Sequence, residues 1–314
     1  MKILVVDDDP VILEILQVVL RQEGHEKVVV AQSGVAALDI LARDDERFDV
    51  LVLDIAMPGM DGVALCSAIR KLAPYTRTPI IMLTAKSDGR SIESAFGAGA
   101  NDYITKPFDI KGIGFRLQVA ERMMTESRVT LNIKERHSEL GDVEGMHGFE
   151  IDGSVCLQGV KQHTDEFSLG NYLSTMEKYR VDETSVFAAQ IRSFDILYRT
   201  CTGQELAVIL TEVWNSIASA ADNSRLLGTY VGSGTFILIT ACTIQEDWLG
   251  LEPMIGESLA GSVSLKQASF GCPVKVALGR PFRPNASKTK RVKPTFDRAR
   301  QLLQKRLEMD AASG

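Results

Sequence analysis

The amino-acid sequence predicts two domains, an α/β domain built on a doubly wound parallel sheet and a second domain of the α+β class. Short apolar runs alternate five times with segments of helical periodicity in about the first 125 residues, which is typical of a parallel sheet with helices on both faces. Residues 50–53 are apolar without polar alternation, as in a strand that is buried on both faces. The length of 314 residues is sufficient for two separate cores.

The elements of the first domain, residues 1–125, follow from apolar spacing and from helix-capping residues. Strands are predicted at residues 3–6, 28–31, 48–53, 79–83 and 102–104. Helices are predicted to begin at Pro10, after Ser33, at Gly62, before Ile92 and after Pro107. Proline suits the first turn of a helix, and an aspartate before it suits the cap.

The end of the first domain leaves two interpretations open. Residues recur with four-then-three spacing at Ile113, Leu117, Ala120, Met124, Ser127 and Leu131. This spacing is compatible with a short coiled coil along a dimer seam, or with an ordinary terminal helix. Residues 126–165 are polar and rich in glycine, and they are predicted to form a helical extension and linker.

The second domain, residues 166–314, shows a different order of elements. Strands are predicted at residues 185–191, 225–231, 235–240 and 273–278, with helices through 206–217, 254–259 and 296–309. Gly232-Ser233-Gly234 between the two middle strands is a hairpin signal. The order strand, helix, strand, strand, helix, strand matches a ferredoxin-like α+β core.

The composition is that of an ordinary soluble protein, with 45% hydrophobic residues and a formal net charge of −6. The five cysteines are scattered and never in CxxC spacing, which favours a reducing cytoplasm over disulfides or a zinc site. We see no signal peptide and no apolar run near the ~20 residues of a membrane span, so we expect a cytoplasmic protein. The four histidines have no metal-ligand spacing and are predicted at solvated or loop positions.

Residues 280–306 carry ten basic side chains against one acid, Asp297. Such a run can attract nucleic acid or anionic lipid, but it is more often a solvated helix face and loop. Its densest part is Lys288-Thr289-Lys290-Arg291-Val292-Lys293, and no helix-turn-helix pattern accompanies it. We therefore expect neither a nucleic acid nor a membrane as partner, and keep DNA binding as an alternative.

Polar residues follow the predicted strands of the first domain at the point where each strand ends. Asp7 and Asp8 follow the first strand, Asp54 the third, Thr84 the fourth and Lys106 the fifth. The carboxyl ends of parallel strands lie at one edge of a sheet, so these side chains should converge. Three carboxylates in a partly shielded cleft repel one another, and Mg²⁺ relieves this repulsion. The lysine and the hydroxyl predict a site that receives a phosphoryl group.

These residues lie in motifs that resemble the receiver domain of two-component response regulators. The motifs, within residues 1 to about 125, are Val5-Val6-Asp7-Asp8, Leu53-Asp54 with Met57-Pro58-Gly59-Met60-Asp61-Gly62, Thr84-Ala85 and Lys106-Pro107-Phe108. The resemblance implies a flavodoxin-like, CheY-like fold in which Asp54 accepts phosphate from a sensor histidine kinase or a phosphotransfer protein. It implies that Asp8, Asp54 and the Ala56 carbonyl bind Mg²⁺ directly, and Asp7 through water. It further implies that Thr84 and Tyr103 act as switch residues.

The second domain is similar to the GGDEF domain of diguanylate cyclases, mostly through its apolar pattern. Gly232-Ser233-Gly234-Thr235-Phe236 lies on the hairpin where that family has its signature turn. Gln190-Ile191-Arg192-Ser193-Phe194 lies where that family has Asp-Ile-Asp-x-Phe. The resemblance implies a nucleotidyl-cyclase-like fold of the ferredoxin-like type.

The residues that cyclase chemistry needs are replaced. Gln190 stands at the metal-ligand position, and Gly234 and Thr235 stand at the two acidic signature positions. The guanine-reading positions hold Tyr198 and Arg199, and the product-inhibition positions hold Asn223 and Leu226. Neutral side chains cannot hold two magnesium ions over GTP, so the departures predict a degenerate domain without cyclase activity.

The sequence as a whole predicts a response regulator of a phosphorelay that is not itself an enzyme. Phosphorylation of Asp54 with Mg²⁺ would change dimerisation, or the binding of a downstream protein, through the GGDEF-like domain. We expect a homodimer. Two alternatives remain open: a nucleotide-binding or active diguanylate cyclase, which would bind GTP or cyclic di-GMP, and a DNA-binding transcriptional regulator.

Overall fold

The computed structural model describes residues 1–43, 47–85, 89–107, 110–125, 129–131, 144–145, 147–157, 160–221, 226–240, 248–267, 273–287 and 291–313. The chain divides into two compact units, Met1–Ser127 and Arg128–Gly314. This division lies close to the boundary predicted at residue 125.

The first unit is a parallel sheet with a helix after each strand. Its elements are β1 (Lys2–Val6), α1 (Pro10–Gln22), β2 (Lys27–Ala31), α2 (Gly34–Arg43), β3 (Val50–Asp54), α3 (Gly62–Ile69), β4 (Ile80–Ala85), α4 (Gly89–Gly97), β5 (Asp102–Lys106) and α5 (Ile110–Thr125). The five strands lie in the order β2-β1-β3-β4-β5 and all pairs are parallel. The predicted flavodoxin-like sheet is confirmed. Its order reverses between β1 and β3, where ligands of such sheets bind.

Both faces of this sheet are buried, as the apolar run in β3 predicts. Leu51 and Leu53 pack with residues of α2 and α3, whereas Val50 and Val52 pack with residues of α1 and α5. Side chains of a strand alternate between its two faces, so a strand covered on both sides has to be apolar throughout. Asp54, the last residue of β3, therefore stands at the edge of a well-packed core.

The structure favours the ordinary terminal helix over the coiled coil. Ile113, Leu117 and Ala120 are each 3% exposed or less, in the core of the first unit. α5 ends at Thr125, and Leu131 belongs to a strand rather than to a further helical turn. The apolar stripe of α5 is thus already used in packing against its own sheet.

The second unit contains a separate antiparallel sheet. Its elements are β6 (Val129–Leu131), β7 (Val155–Leu157), α6 (Glu166–Thr175), α7 (Lys178–Asp182), β8 (Ser185–Ile191), α8 (Phe194–Thr200), α9 (Gly203–Ala220), β9 (Leu226–Tyr230), β10 (Thr235–Thr240), α10 (Leu251–Gly261), α11 (Val263–Gln267), β11 (Val276–Leu278) and α12 (Val292–Ser313). Four strands lie in the order β11-β8-β10-β9, and all three pairs are antiparallel. β6 and β7 form a short parallel pair. The predicted order of strands and helices is present.

The central helix of this unit, α9, has a complete capping box. Thr202 accepts a hydrogen bond from the Glu205 amide, and the Glu205 side chain accepts one from the Thr202 amide. The buried face of α9 carries Trp214, whose ring packs 6.1 Å from that of Phe236 and whose indole N–H donates to the Lys161 carbonyl. These contacts anchor the helix over β10.

The described residues of the predicted linker, 126–165, belong to the second unit. Phe149, Val155 and Leu157 are buried in its hydrophobic core, and no described residue of this segment continues the helix of the first unit. Glycines and polar residues separate the few apolar ones in the sequence, so their packing could not be recognised from periodicity. The described residues of this segment form a strand pair and an irregular packed segment rather than a helix, and residues 126–128 and 132–143 of the predicted extension lie outside the described residues.

One of the histidines predicted at solvated or loop positions lies outside the helices and strands but is buried. His163 is 6% exposed, its Nε2 accepts a hydrogen bond from the Tyr230 amide, and its ring stands edge-on to Trp214. Burial lowers the pKa of His163 to about 3, although the nearby charge of Asp165 works in the opposite direction. The histidine is therefore a neutral core residue.

The basic stretch is also partly structural. Lys288, Thr289 and Lys290 lie outside the described residues. Arg291 is 1% exposed, and its guanidinium donates to the carbonyls of Leu173, Met176, Asn285 and Ala286. It therefore holds the end of α6 and cannot contact a nucleic acid. Within the described parts of the chain, no helix has the length and apolar character that a membrane span requires.

Candidate functional site

The polar residues at the carboxyl edge of the first sheet converge as predicted. Oxygen atoms of Asp7, Asp8 and Asp54 all lie within 4.8 Å of one another. Lys106, the last residue of β5, places its Nζ 2.6 Å from an Asp7 oxygen and 2.5 Å from an Asp54 oxygen. A cluster of three carboxylates and one ammonium group thus lies at the strand ends.

Burial makes this cluster electrostatically strained. Asp7 and Asp54 are 1% and 3% exposed, whereas Asp8 is open to solvent. Burial raises the pKa of the Asp54 carboxyl, although Lys106 opposes the shift through a hydrogen bond and its charge. Burial alone would lower the pKa of Lys106, but hydrogen bonds to Asp54 and Asp7 outweigh it and the pKa is raised. The lysine is therefore held as an ammonium ion between two carboxylates.

The loop after β3 holds Asp54 in place through close backbone contacts. The amide of Gly62 donates to the Ile55 carbonyl at 2.9 Å, and a Cβ on Gly62 would lie 2.1 Å from the Asp54 carbonyl oxygen. The Ala56 amide donates to the Asp54 carboxylate. Asp61 caps α3 by accepting from the Ala64 amide at 2.7 Å. Only glycine fits at position 62, so the glycine that ends the motif after Asp54 is required for steric reasons.

The donor set of this cluster suits magnesium. Mg²⁺ prefers oxygen ligands at ~2.1 Å and retains several waters, so oxygens on one ion lie up to ~4 Å apart, close to the spacing of these carboxylates. Asp7, Asp8 and Asp54 would hold the ion, together with the Ala56 carbonyl that follows β3. Among the described residues, no other group of three acidic, histidine or cysteine side chains has such spacing.

The two predicted switch residues lie on β4 and β5. Thr84 is 3% exposed, and its hydroxyl donates to the Ala85 carbonyl at 3.1 Å. Tyr103 is half-buried, with its ring edge-on to Phe96 at 6.3 Å. The Lys106-Pro107 peptide bond is cis, and Phe108 of the same motif lies outside the described residues.

The degenerate positions of the second unit also lie together. Gln190 pairs with Thr235 across β8 and β10, and its side-chain amide donates to the Ser233 carbonyl at 3.0 Å. Gly232, Ser233 and Gly234 all have positive φ angles, of 94°, 50° and 70°. The hairpin prediction is confirmed. The side chain at the expected metal-ligand position is an amide that braces the turn.

Three backbone donors of this turn are engaged within the unit. The amide of Ser233 donates to the Ile151 carbonyl at 2.7 Å, that of Gly234 to the Tyr230 hydroxyl at 3.0 Å, and that of Thr235 to the Gly232 carbonyl at 2.9 Å. A loop binds phosphate when its successive amides point at the anion. These three amides are therefore not available to a nucleotide phosphate.

An irregular segment before β7, which the sequence reasoning missed, covers the neighbouring surface. The ring of Tyr198 lies 4.2 Å from that of His147 and 5.9 Å from that of Phe149, and its hydroxyl donates to the Phe149 carbonyl. Burial raises the pKa of Tyr198, and the charges of Glu150 and Asp152 raise it further. No sequence signal marks this packing apart from the aromatic residues themselves. Of the other degenerate positions, Asn223 lies outside the described residues.

Comparison with known proteins assigns the first unit only. Residues 3–117 match the family model of the response regulator receiver domain. A relative named heme response regulator HssR, from Staphylococcus aureus, is 41% identical over 137 residues, which cover 41% of this chain and 58% of the relative. The chain thus spans little more than half the length of the curated relatives that it matches.

Two solved structures are similar over the same share of the chain. One is the chemotaxis protein CheY4 of Vibrio cholerae, 32% identical, covering 38% of this chain and 97% of that one with a TM-score of 0.36. The other is a two-component response regulator from Clostridium difficile, 26% identical, covering 40% of this chain and 99% of that one with a TM-score of 0.37. The second unit lies outside the family match.

Proposed function

We propose that this chain, whose residues 3–117 are a response regulator receiver domain, works in a cytoplasmic two-component phosphorelay. In this proposal a sensor histidine kinase or a phosphotransfer protein phosphorylates Asp54 in the presence of Mg²⁺. The second unit then passes the signal on as a degenerate GGDEF-like domain, by dimerisation or by binding another protein. The chain is not itself an enzyme in this proposal, because the receiver only accepts phosphate and the second unit has no cyclase activity.

The observation that carries the proposal is the arrangement of Asp7, Asp54 and Lys106 at 2.5–2.6 Å contact distances. The Asp54 carboxylate is buried, but it lies beside Asp8, which is open to solvent. A phosphoryl donor would therefore reach Asp54 from the side of Asp8. The lysine supplies positive charge where negative charge on a phosphoryl group would develop. A purely structural ion pair would need one carboxylate rather than three.

The proposed reaction transfers a phosphoryl group from a histidine of the donor protein to Asp54. An Asp54 oxygen attacks the phosphorus of a phosphohistidine, a P–O bond forms and the P–N bond breaks. The imidazole leaves as neutral imidazole after its nitrogen takes up a proton from solvent. Bound Mg²⁺ would neutralise charge on the phosphoryl oxygens. Lys106 would shift its hydrogen bond from the Asp54 carboxylate to a phosphoryl oxygen. The Thr84 hydroxyl would then donate to another phosphoryl oxygen instead of the Ala85 carbonyl. The Tyr103 ring would turn inward in response.

The second unit supports a role in binding rather than catalysis. Its order of strands and helices is compatible with a ferredoxin-like, GGDEF-like core. Gln190, Gly234 and Thr235 offer no carboxylate at the positions where two metal ions would be needed. The amides of Ser233, Gly234 and Thr235 are also engaged within the unit, so they are not available to a phosphate.

The receiver part of the proposal is tested with acetyl phosphate and Mg²⁺. We expect a slower phosphate-affinity gel band for the wild type and none for Asp54→Asn. Light scattering with and without beryllofluoride would then show whether the modified state changes its association. An unmodified wild-type protein would overturn the proposal.

The output part is tested separately. Isothermal titration with GTP and with cyclic di-GMP should show no binding, and the phosphorylated protein should make no cyclic di-GMP from GTP. Product formation would instead establish the enzyme alternative. A gel shift with random duplex DNA at physiological salt tests the transcription-factor alternative, for which we expect no shift because Arg291 is buried.

A further inference from the structure

The antiparallel sheet of the second unit has two edge strands, β9 and β11, which differ in how their outer backbone groups are covered. At β9, the Gly228 amide donates to the Gln162 carbonyl at 3.2 Å, and the Thr164 amide donates to the Gly228 carbonyl at 2.8 Å. His163 completes a parallel bridge with Gly228. This edge is therefore covered by the chain's own backbone, which is one way that proteins protect an edge strand.

Among the residues that the structure describes, none covers the β11 edge in the same way. The Arg192 amide donates to the Lys275 carbonyl and the Gly279 amide to the Ala188 carbonyl, both at 2.8 Å. Residues 275, 277 and 279 therefore face β8, and the alternating residues 274, 276 and 278 direct their amides outward.

The outward amides of β11 have different partners. The Leu278 amide donates to a carboxylate oxygen of Glu252 at 2.7 Å. The Val276 amide has no hydrogen-bond partner among the described residues, although Val276 is only 9% exposed. Unpaired backbone donors in nearly buried residues are rare in native proteins. Glu252 also shows that this edge accepts a carboxylate.

The open edge borders a groove of about 720 Å³ between α10, α11 and the residues leading into β11. Its apolar lining includes Pro253, Leu259, Leu265 and Val274. Residues 268–272 lie outside the described part of the chain. Apolar walls beside a strand edge suit the alternate side chains of an extended peptide.

The charge of the groove is mainly positive. Lys266 and Lys275 line it and are exposed, and Arg192 lines it while paired with Asp310. The one acidic lining residue, Glu252, is already occupied by the Leu278 amide and by Arg306 at 4.0 Å. The two lysines remain as positive charge that an acidic partner would complement.

We propose that this groove binds an extended acidic peptide of a partner protein, which adds as a further strand to the β11 edge. The inference rests on the proposed role of the second unit in protein binding, and it names the surface and the chemistry of the partner. Backbone hydrogen bonds to β11 provide the affinity, starting at the Val276 amide. The two lysines select acidic side chains at the rim, and the apolar walls hold the alternate residues.

The test uses the full chain and a short fluorescein-labelled peptide that alternates glutamate and valine. Binding is followed by fluorescence anisotropy, with and without acetyl phosphate. Two further peptides carry N-methyl groups on one or the other set of alternate amides. Only one set can face β11, so we expect one methylated peptide to bind at least about tenfold more weakly and the other to bind like the parent.

Two further measurements locate the site. The double variant Lys266→Glu, Lys275→Glu should weaken binding about tenfold, whereas the matched control Lys161→Glu, near the covered β9 edge, should not. The bound peptide should slow hydrogen exchange at the Val276 amide. Equal binding of both methylated peptides, equal effects of the two charge reversals, or unchanged exchange at Val276 would each overturn the proposal.

The two proposals fail in different ways. Absence of peptide binding in a sample whose Asp54 is modified by acetyl phosphate overturns the docking surface and leaves the receiver function intact. Absence of modification at Asp54 overturns the receiver function, whatever the peptide does.

Discussion

The two units of this chain treat their polar groups in opposite ways. At the carboxyl edge of the first sheet, Asp7 and Asp54 are buried side by side with only Lys106 between them. At the hairpin turn of the second unit, the amides of Ser233 and Gly234 donate to acceptors within the unit. The first arrangement brings together carboxylates, which a cation can neutralise, and an ammonium group, which can pair with a phosphoryl group. In the second, these two amides are already engaged, and we therefore propose phosphoryl chemistry for the first unit alone.

The largest expected effects come from the glycines that allow close backbone contact in each site. A Cβ at Gly62 would lie 2.1 Å from the Asp54 carbonyl oxygen, and one at Gly232, whose φ is +94°, would lie 2.1 Å from the Asp152 carbonyl oxygen. We expect Gly62→Ala to destabilise the first unit and Gly232→Ala the second, each by about 3 kcal/mol. Hydrogen exchange of each unit measures both effects.

Gly256→Ala is the matched control for these substitutions. A Cβ added at this position in α10 would meet no packed neighbour within 4 Å, so alanine should stabilise the second unit by roughly 0.5–1 kcal/mol. Equal behaviour of Gly232→Ala and Gly256→Ala would show that the turn is not packed as described.

The second expected effect is a pH dependence of the stability of the second unit. The pKa of His163 is lowered to about 3 from the ordinary value of 6.5, so between these values the unfolded chain binds a proton that the folded unit excludes. Stability is therefore fully present above pH 6.5 and is lost as the pH falls toward 3, by up to about 1.4 kcal/mol per pH unit. Denaturant unfolding followed by tryptophan fluorescence reports on this unit, because both tryptophans, Trp214 and Trp248, lie in it.

The control for the pH dependence is His163→Gln, which keeps a hydrogen-bond acceptor for the Tyr230 amide but does not titrate. The variant should show a shallower loss of stability in acid than the wild type. Identical pH profiles would mean that groups other than His163 cause the acid sensitivity.

A third prediction concerns the ion pair in the first unit. Lys106→Met removes the ammonium group that competes with a metal ion for Asp7 and Asp54, so we expect Mg²⁺ to bind about tenfold more tightly. Calorimetric titration with MgCl₂ measures this, and Lys71→Met, an exposed position shortly after α3, is the control. Weaker binding in Lys106→Met would show that the lysine organises the carboxylates rather than competing for them.

The smallest predicted effects are at the helix caps, where the two units should behave alike. Asp61 caps α3 and Thr202 caps α9, each through a side-chain oxygen that accepts from a backbone amide. Asp61→Ala and Thr202→Ala should each cost about 1 kcal/mol of stability in their own unit, by hydrogen exchange. A much larger loss for Asp61→Ala would show that this residue also supports the acidic cluster.

Much of the fold could be predicted from the sequence because its local patterns are strong. The predicted bounds of β8 and β10 match the observed strands at both ends, since these strands are largely apolar and end next to polar and turn residues. The convergence of Asp7, Asp54 and Lys106 could be predicted from one rule, that the carboxyl ends of parallel strands share an edge.

Other features could not be predicted, because they depend on contacts between residues far apart in the chain. His163 and Arg291 are polar by composition, and only their partners, Tyr230 and the carbonyls at the end of α6, account for their burial. The packing of Phe149 against Tyr198 follows no periodicity. The same is true of the open edge at Val276, which exists only because no other strand pairs there within the described residues.

By itself the sequence determined the strand ends, the acidic cluster that they carry, and the absence of carboxylates from the turn of the second unit. Only the tertiary structure decided that the amides of this turn are engaged by Ile151 and Tyr230, and that one sheet edge is covered while the other borders a cationic groove. The physical reason is range: side-chain type and spacing set local structure, whereas hydrogen-bond satisfaction depends on which distant groups the fold brings within about 3 Å.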